Sequence, residues 1–227
     1  MLECPTQPRA IGLSIRALKT PMNAHFVADT FALFARFFCG ASVRVLDENW
    51  ATNADQQRVY VANHSSHLDF IVLWSALPTH LRRVTRPVAA RDYWQKTRLR
   101  RYLALKVYRA ILIEREHVSA YNNPIELIAR EMNNEYSIII FPEGTRGNGD
   151  EIGAFKSGIY RLLQQKPHLQ CVPVYIENLN RVLPKGEILP LPLLSSLSLG
   201  APIQLQENED KRAFLARLRD AVIALKS

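Results

Sequence analysis

Val59-Tyr60-Val61-Ala62-Asn63-His64-Ser65-Ser66-His67-Leu68-Asp69-Phe70-Ile71-Val72-Leu73-Trp74 is the stretch that decides how the chain folds. The first four residues form a short apolar run that predicts a buried strand. From Phe70 the sequence turns apolar again at helical length, so a helix is expected over residues 66–77, stopping before Pro78. The polar residues between them stand at a strand-to-helix junction, where side chains and free backbone N–H groups face a cleft. His64 and Asp69 are five apart, which on one continuous helix places them on different faces. At a turn entering a helix, the chain folds back and lets the carboxylate reach an imidazole nitrogen. A histidine held in this way is a general base: the carboxylate fixes its tautomer, and the other nitrogen takes a proton from an alcohol. The chain has no G-x-S-x-G to supply a serine nucleophile, so the activated hydroxyl belongs to a substrate. Ser65 and Ser66 are accounted for as N-caps of the helix. The plain alternative for His64 and Asp69 is a hydrogen-bonded surface pair.

Outward from this junction, strands and helices alternate. Strands are expected at 43–46 (an edge), 59–62 (central), 87–90, 110–113, 137–141, 171–176 and 197–199. Helices are expected at 22–39, 91–109, 123–133, 155–165 and 210–226. Pro173 inside its strand implies a bulge or a gap in the ladder. This order predicts an α/β single-domain sandwich, with a central largely parallel or mixed sheet flanked by helices. Residues 1–40 form a separate N-terminal basic segment and amphipathic helix, and 41–227 the main domain. In 22–39, Phe26, Val27, Phe31, Phe34, Phe37 and Phe38 recur at helical spacing. That face either lies on a membrane or packs on the core.

At 227 residues the chain suffices for one generous domain, and 48% hydrophobic content with 9 glycines argues against disorder. A formal charge of +8 implies anionic company: a phosphorylated substrate, an acidic carrier, a lipid surface or nucleic acid. Cys4, Cys39 and Cys171 are widely spaced, which suggests neither a disulfide framework nor a zinc site and fits a reducing cytoplasm. No secretory signal is visible, and no apolar stretch reaches bilayer-spanning length. The basic segment 91–109 interleaves Arg98, Arg100, Arg101 and Lys106 with Tyr93, Trp94 and Tyr102. It suits lipid headgroups, a carrier or nucleic acid, or is a solvated basic face.

A second constellation follows the strongest strand: Pro142-Glu143-Gly144-Thr145-Arg146-Gly147. Ligands gather beyond the carboxyl ends of strands in open α/β sheets. There the glycine lets backbone approach a phosphate, the threonine adds a hydroxyl, and the arginine offers a bidentate fork. Arg115, also just past a strand, lies on the same edge. A tight turn with a surface salt bridge is the alternative.

Asn63-His64-x4-Asp69, Ile111-x3-Arg115, Phe141-Pro142-Glu143-Gly144-Thr145-Arg146 and Val172-Pro173-Val174 occur in that order. Together they resemble the glycerolipid acyltransferase superfamily, most closely the bacterial lysophosphatidic acid acyltransferases, over roughly residues 25–205. The resemblance implies His64 as catalytic base and Asp69 as its orienting carboxylate. Arg115, Glu143, Gly144, Thr145 and Arg146 become the acceptor-binding set, with Glu143 holding an arginine or a glycerol hydroxyl. Lys156 and Pro173 are secondary candidates, Pro173 near the acyl-chain path. The implied reaction is direct transfer from acyl-CoA or acyl carrier protein to a lysophospholipid, without metal or cofactor. The implied setting is the cytoplasmic face of the cell membrane, peripheral or monotopic, with no nucleic-acid partner. Three features depart from the family pattern: Arg109 replaces the usual glycine, Glu114 replaces aspartate or asparagine, and Leu189–Leu194 is unusually apolar.

Two rivals remain. A metal-dependent hydrolase would use His64, His67 and Asp69, although the spacing is one residue too long for H-x-H-x-D-H and Phe70 replaces its last histidine. A basic membrane-binding or nucleic-acid-binding module built on 91–109 leaves the His64/Asp69 and Glu143–Arg146 blocks without a task.

Overall fold

The computed structural model describes residues 27–30, 32–33, 42–45, 56–66, 68–114, 123–147, 151–177 and 196–226. Seven strands form one sheet: β1 (Ser42–Val45), β2 (Arg58–Ala62), β3 (Thr85–Ala90), β4 (Ile111–Ile113), β5 (Ser137–Ile140), β6 (Gln170–Glu177) and β7 (Ser196–Leu199). Their spatial order is β1-β7-β6-β2-β5-β3-β4, so β2 is central and β1 an edge. Every pairing is parallel except β6 with β7. This is the α/β architecture expected from the alternation of elements.

A strand covered on both faces must be apolar throughout, and β2 is buried along its whole length. Its side chains alternate between two cores. Tyr60 and Ala62 join Trp74, Leu77, Tyr108 and Ile139. Val59 and Val61 join Ile128, Ile138, Leu162, Phe214 and Leu218. The first core lies under α1 (Asp69–Ala76), the second under α5 (Pro124–Met132), α6 (Gly158–Gln165) and α7 (Lys211–Ile223). Asn123 caps α5 by accepting from the N–H of Ile125, and Asp210 caps α7.

Several boundaries differ from expectation for identifiable reasons. Helix α1 starts at Asp69 rather than 66, because residues 63–66 make loop contacts that a helix would forbid. Ser65 and Ser66 do not cap it; Leu68 takes the N-cap position without a side-chain bond. Helix α6 starts at Gly158 rather than 155, since the N–H of Lys156 is drawn to the carbonyl of Pro142 at 2.9 Å. The helix Thr79–Arg83 is α2, and the single basic helix expected over 91–109 breaks into α3 (Arg91–Trp94), α4 (Arg98–Tyr102) and a π-helical turn, Leu103–Val107. Thr97 causes one break by accepting from the N–H of Arg100 and starting a new helix.

The turn is followed by Arg109, whose φ of 53° lies in the left-handed region. Glycine, which the resemblance leads one to expect here, adopts this region without steric cost, whereas Arg109 adopts it under strain. The Arg109 guanidinium stacks 4.9 Å from the Tyr136 ring and donates to its hydroxyl at 2.9 Å, fastening the strained residue.

Pro173 produces the expected ladder gap. On the β7 side, pairing covers Val174–Glu177 and resumes as a single bridge between Cys171 and Ile203, with Pro173 between. Residues 27–30 and 32–33 are helical, with Ala28 and Ala32 buried in the first core and Asp29 paired with Arg82. Phe26, Phe31, Phe34, Phe37 and Phe38, which carry the expected apolar face, lie outside the described residues, as do Cys4, Cys39 and Leu189–Leu194. Among the described residues no helix is long and apolar enough to cross a membrane.

Candidate active site

Two loops leave the carboxyl ends of the adjacent parallel strands β2 and β5, which is why two sequence blocks nearly eighty residues apart meet. Asn63 sets the exit from β2. Its side-chain amide continues the ladder on β6, donating to the carbonyl of Ile176 at 2.9 Å and accepting its N–H at 2.7 Å. The backbone is thus free to turn, and His64 emerges above the sheet edge.

The turn then folds Asp69 back onto His64. Asp69 Oδ2 lies 2.7 Å from His64 Nδ1 and also accepts the N–H groups of Ser65 at 2.7 Å and Ser66 at 2.9 Å. Asp69 is fully buried at the first turn of α1, where the helix dipole favours a negative charge. A carboxylate only accepts, so Nδ1 carries the imidazole proton and Nε2 keeps a lone pair. His64 remains 23% exposed. The ring is steadied by Phe141, stacked at 4.4 Å with planes 24° apart. The structure thus assembles the geometry of a carboxylate-held general base.

The β5 loop grips the backbone of the same residue. Glu143 Oε1 accepts the N–H of His64 at 2.8 Å, and the N–H of Gly147 donates to the His64 carbonyl at 2.8 Å. Glu143 Oε2 accepts the N–H of Gly153 at 2.8 Å. The Glu143 carboxylate therefore meets backbone amides, where an arginine or a glycerol hydroxyl was expected. Gly144 has a φ of +72°, and a β-carbon there would come 2.6 Å from Lys156 Nζ, so only glycine admits that side chain so close. Lys156 thus reaches the turn from just before α6. Thr145 and Arg146 are exposed just beyond Gly144. Pro173 is buried within β6 and is not among the residues lining the cleft described next. Arg115 and His67 lie outside the described residues.

A cleft of about 300 Å³ opens beside the loops. His64, Ser65 and Glu143 form one wall, and Arg219, Ile223 and Lys226 from the C-terminal helix region another. Sequence reasoning missed these last three, because charged and apolar side chains on an expected C-terminal helix carry no signal of what they face. It also gave no role of its own to Asn63, which opens the first block, or to Gly153, whose backbone N–H leaves no signal in the residue type.

A family model described as Acyltransferase matches residues 43–177. No curated protein matches the sequence. Among solved structures, the fold is similar to the crystal structure of the 1-acyl-sn-glycerophosphate (LPA) acyltransferase PlsC from Thermotoga maritima. The TM-score is 0.68 over 89% of this chain and 80% of that one, at 18% sequence identity, a likeness that bears on the fold.

Proposed function

The chain belongs to the acyltransferase family, and from that premise we propose that it moves a fatty acyl chain from an acyl thioester to the free hydroxyl of a lysophospholipid. The favoured acceptor is 1-acylglycerol-3-phosphate, which becomes phosphatidic acid. The observation that carries this reading is the contact of 2.7 Å between His64 Nδ1 and the buried Asp69 carboxylate, which leaves Nε2 to act as a base.

In the reaction, Nε2 takes the proton of the acceptor hydroxyl as its oxygen attacks the thioester carbonyl. Asp69 stabilises the imidazolium that forms. The tetrahedral intermediate collapses, the C–S bond breaks, and the proton passes from Nε2 to the departing sulfur. Ester and free thiol are the products. Thioester chemistry supplies the driving force, so the transfer balances without ATP. General-base help of this kind contributes ~10²–10⁴ in rate. The remainder falls to positioning and to donors for the oxyanion.

Arg146 and Lys156 support recognition of an acceptor phosphate. Both cations stand at the Gly144 turn, and neither pairs with a carboxylate among the described residues. Thr145 adds a hydroxyl there, and Arg115 remains a further candidate from its place in the sequence. Acyl-CoA and acyl carrier protein are both anionic donors, which suits a chain of net charge +8.

A lipid surface is the setting that fits Leu99, Tyr102 and Leu105, which are 67%, 50% and 40% exposed. They alternate with Arg98, Arg100, Arg101 and Lys106, a pattern suited to an anionic bilayer on the cytoplasmic face, bound peripherally or monotopically.

The test incubates purified protein with a panel of lysophospholipids, each with acyl-CoA and with acyl carrier protein, and identifies products by mass. Phosphatidic acid from 1-acylglycerol-3-phosphate is expected. Another diacyl product would change the acceptor, and free fatty acid alone from every pairing would reject acyl transfer.

A further inference from the structure

We infer that Arg219, on the C-terminal helix α7 and beyond the matched segment 43–177, is a positioning residue for His64. The inference rests on His64 being the base in the proposed reaction.

The connection is a continuous run of hydrogen bonds. Arg219 Nη2 donates to the carbonyl of Ile152 at 2.7 Å, and Nε is shared between Ile152 at 3.1 Å and Gly153 at 3.2 Å. With its carbonyl side held in this way, Gly153 turns its own N–H onto Glu143 Oε2 at 2.8 Å. The other oxygen, Oε1, takes the N–H of His64 at 2.8 Å. Three elements distant in sequence are thereby linked: the C-terminal helix, the loop before α6 and the loop after β2.

Each residue type in the run has a reason. Two successive carbonyls need a planar fork with fixed N–H directions, which arginine has and lysine lacks. Gly153 must come close to the carboxylate, since a β-carbon there would lie 3.1 Å from Glu143 Oε2. Glu143 needs both oxygens, so moving Gly153 releases half of its hold and lets it swing from His64. Helix α7 is itself fixed by Phe214, Leu218 and Val222 in the second core, which makes it a firm base for the fork.

Arg219 is 35% exposed, so water partly replaces its bonds when it is removed. The expected loss in Arg219→Ala is therefore moderate, about 10-fold in kcat, below the ~10² that a misplacement of 1 Å near the chemistry can cause. Arg219 also lines the cleft, so the KM values separate the two roles: both should change less than about threefold if it acts through Glu143, and a larger rise in either would make it a substrate contact and overturn the inference. Arg219→Lys keeps the stem and the charge but not the fork, and should lose activity too.

Two measurements test this. The first is a double-mutant cycle with Glu143→Gln. If Arg219 acts through Glu143, the double variant is no slower than Glu143→Gln alone; rates that multiply would overturn the inference. The second is hydrogen exchange without any substrate, followed in the peptide that carries the His64 amide. Both Arg219→Ala and Arg219→Lys should speed exchange there, as should Glu143→Gln. Faster exchange confined to residues 211–223 would show that Arg219 only ties down its own helix, and would overturn the inference. Because exchange needs no acyl transfer, it gives its answer even if the proposed reaction proves wrong.

Discussion

Asp69→Asn separates the two tasks of this carboxylate, holding the loop and supporting the base. In the structure Oδ2 accepts three N–H groups, from His64 Nδ1, Ser65 and Ser66, at 2.7, 2.7 and 2.9 Å. Two of the donors are backbone and cannot turn into acceptors. They hold the amide oxygen of an asparagine in the place of Oδ2, so His64 keeps its proton on Nδ1. Only the charge is lost. Replacing a charged hydrogen bond to the imidazolium by a neutral one costs roughly 1–2 kcal/mol. That corresponds to about 5–30-fold in kcat. The introduced amide also places its NH₂ where the buried Oδ1 of Asp69 has no hydrogen-bond partner among the described residues. An unmatched buried donor costs ~1–3 kcal/mol. At about 2–4 °C per kcal/mol for a chain of this size, the melting temperature should fall by roughly 2–12 °C. Initial rates at saturating thioester and lysophospholipid, beside a thermal melt, measure both effects. A rate loss equal to that of His64→Ala would mean that the amide turned and the tautomer flipped, refuting the claim that Ser65 and Ser66 pin it. A loss below about twofold would refute the charge-support role.

Arg146→Ala should raise the acceptor KM by about 10–150-fold, the value of one charge-assisted contact, with the donor KM little changed; a rise in donor KM alone would move Arg146 to the thioester side. Replacing Leu99, Tyr102 and Leu105 together by serine should abolish co-sedimentation with phosphatidylglycerol vesicles and leave the melting temperature unchanged, whereas full retention on vesicles would remove this patch from the membrane contact. Burial pushes the Cys171 thiol up to about 12, and the Tyr60 phenol, also chiefly by burial, up to about 12. The folded chain keeps both protons at a pH where the unfolded chain releases them. Stability is therefore full below the ordinary values of 9.0 and 10.0 and falls as the pH rises through them towards about 12. Urea midpoints that stay flat from neutral pH into that range would contradict this.

How much of this was legible in the sequence varies with the physics involved. The apolar run of β2 and the helical apolar run after it determined the layer arrangement, because burial on both sheet faces leaves few other ways to place such segments. His64 and Asp69 were legible as a pair because a turn entering a helix is the one local geometry that lets them meet. The tasks of Ser65 and Ser66 were not legible. Their backbone N–H groups serve the Asp69 carboxylate, and backbone donors leave no trace in residue type. The resemblance puts Glu143 in the acceptor-binding set, yet its partners are the amides of His64 and Gly153, fixed by the register of β2 on β5. Arg219 was hidden for another reason. It sits on the polar side of an amphipathic helix, where most arginines are only solvated.

The most direct test of the central claim is the rate of acyl transfer by His64→Ala relative to wild type, with the diacyl product identified by mass. The ring of His64 is partly exposed and stacks on Phe141 alone among the described aromatic rings, and Asp69 keeps the N–H groups of Ser65 and Ser66 when the imidazole is removed, so the fold should survive. A fall of ~10²–10⁴ in rate, with the fold retained and the melt lowered only as far as the loss of one of the three donors to Asp69 requires, is the result expected of a general base at this position. Transfer persisting within about threefold of wild type would contradict it and place the base elsewhere.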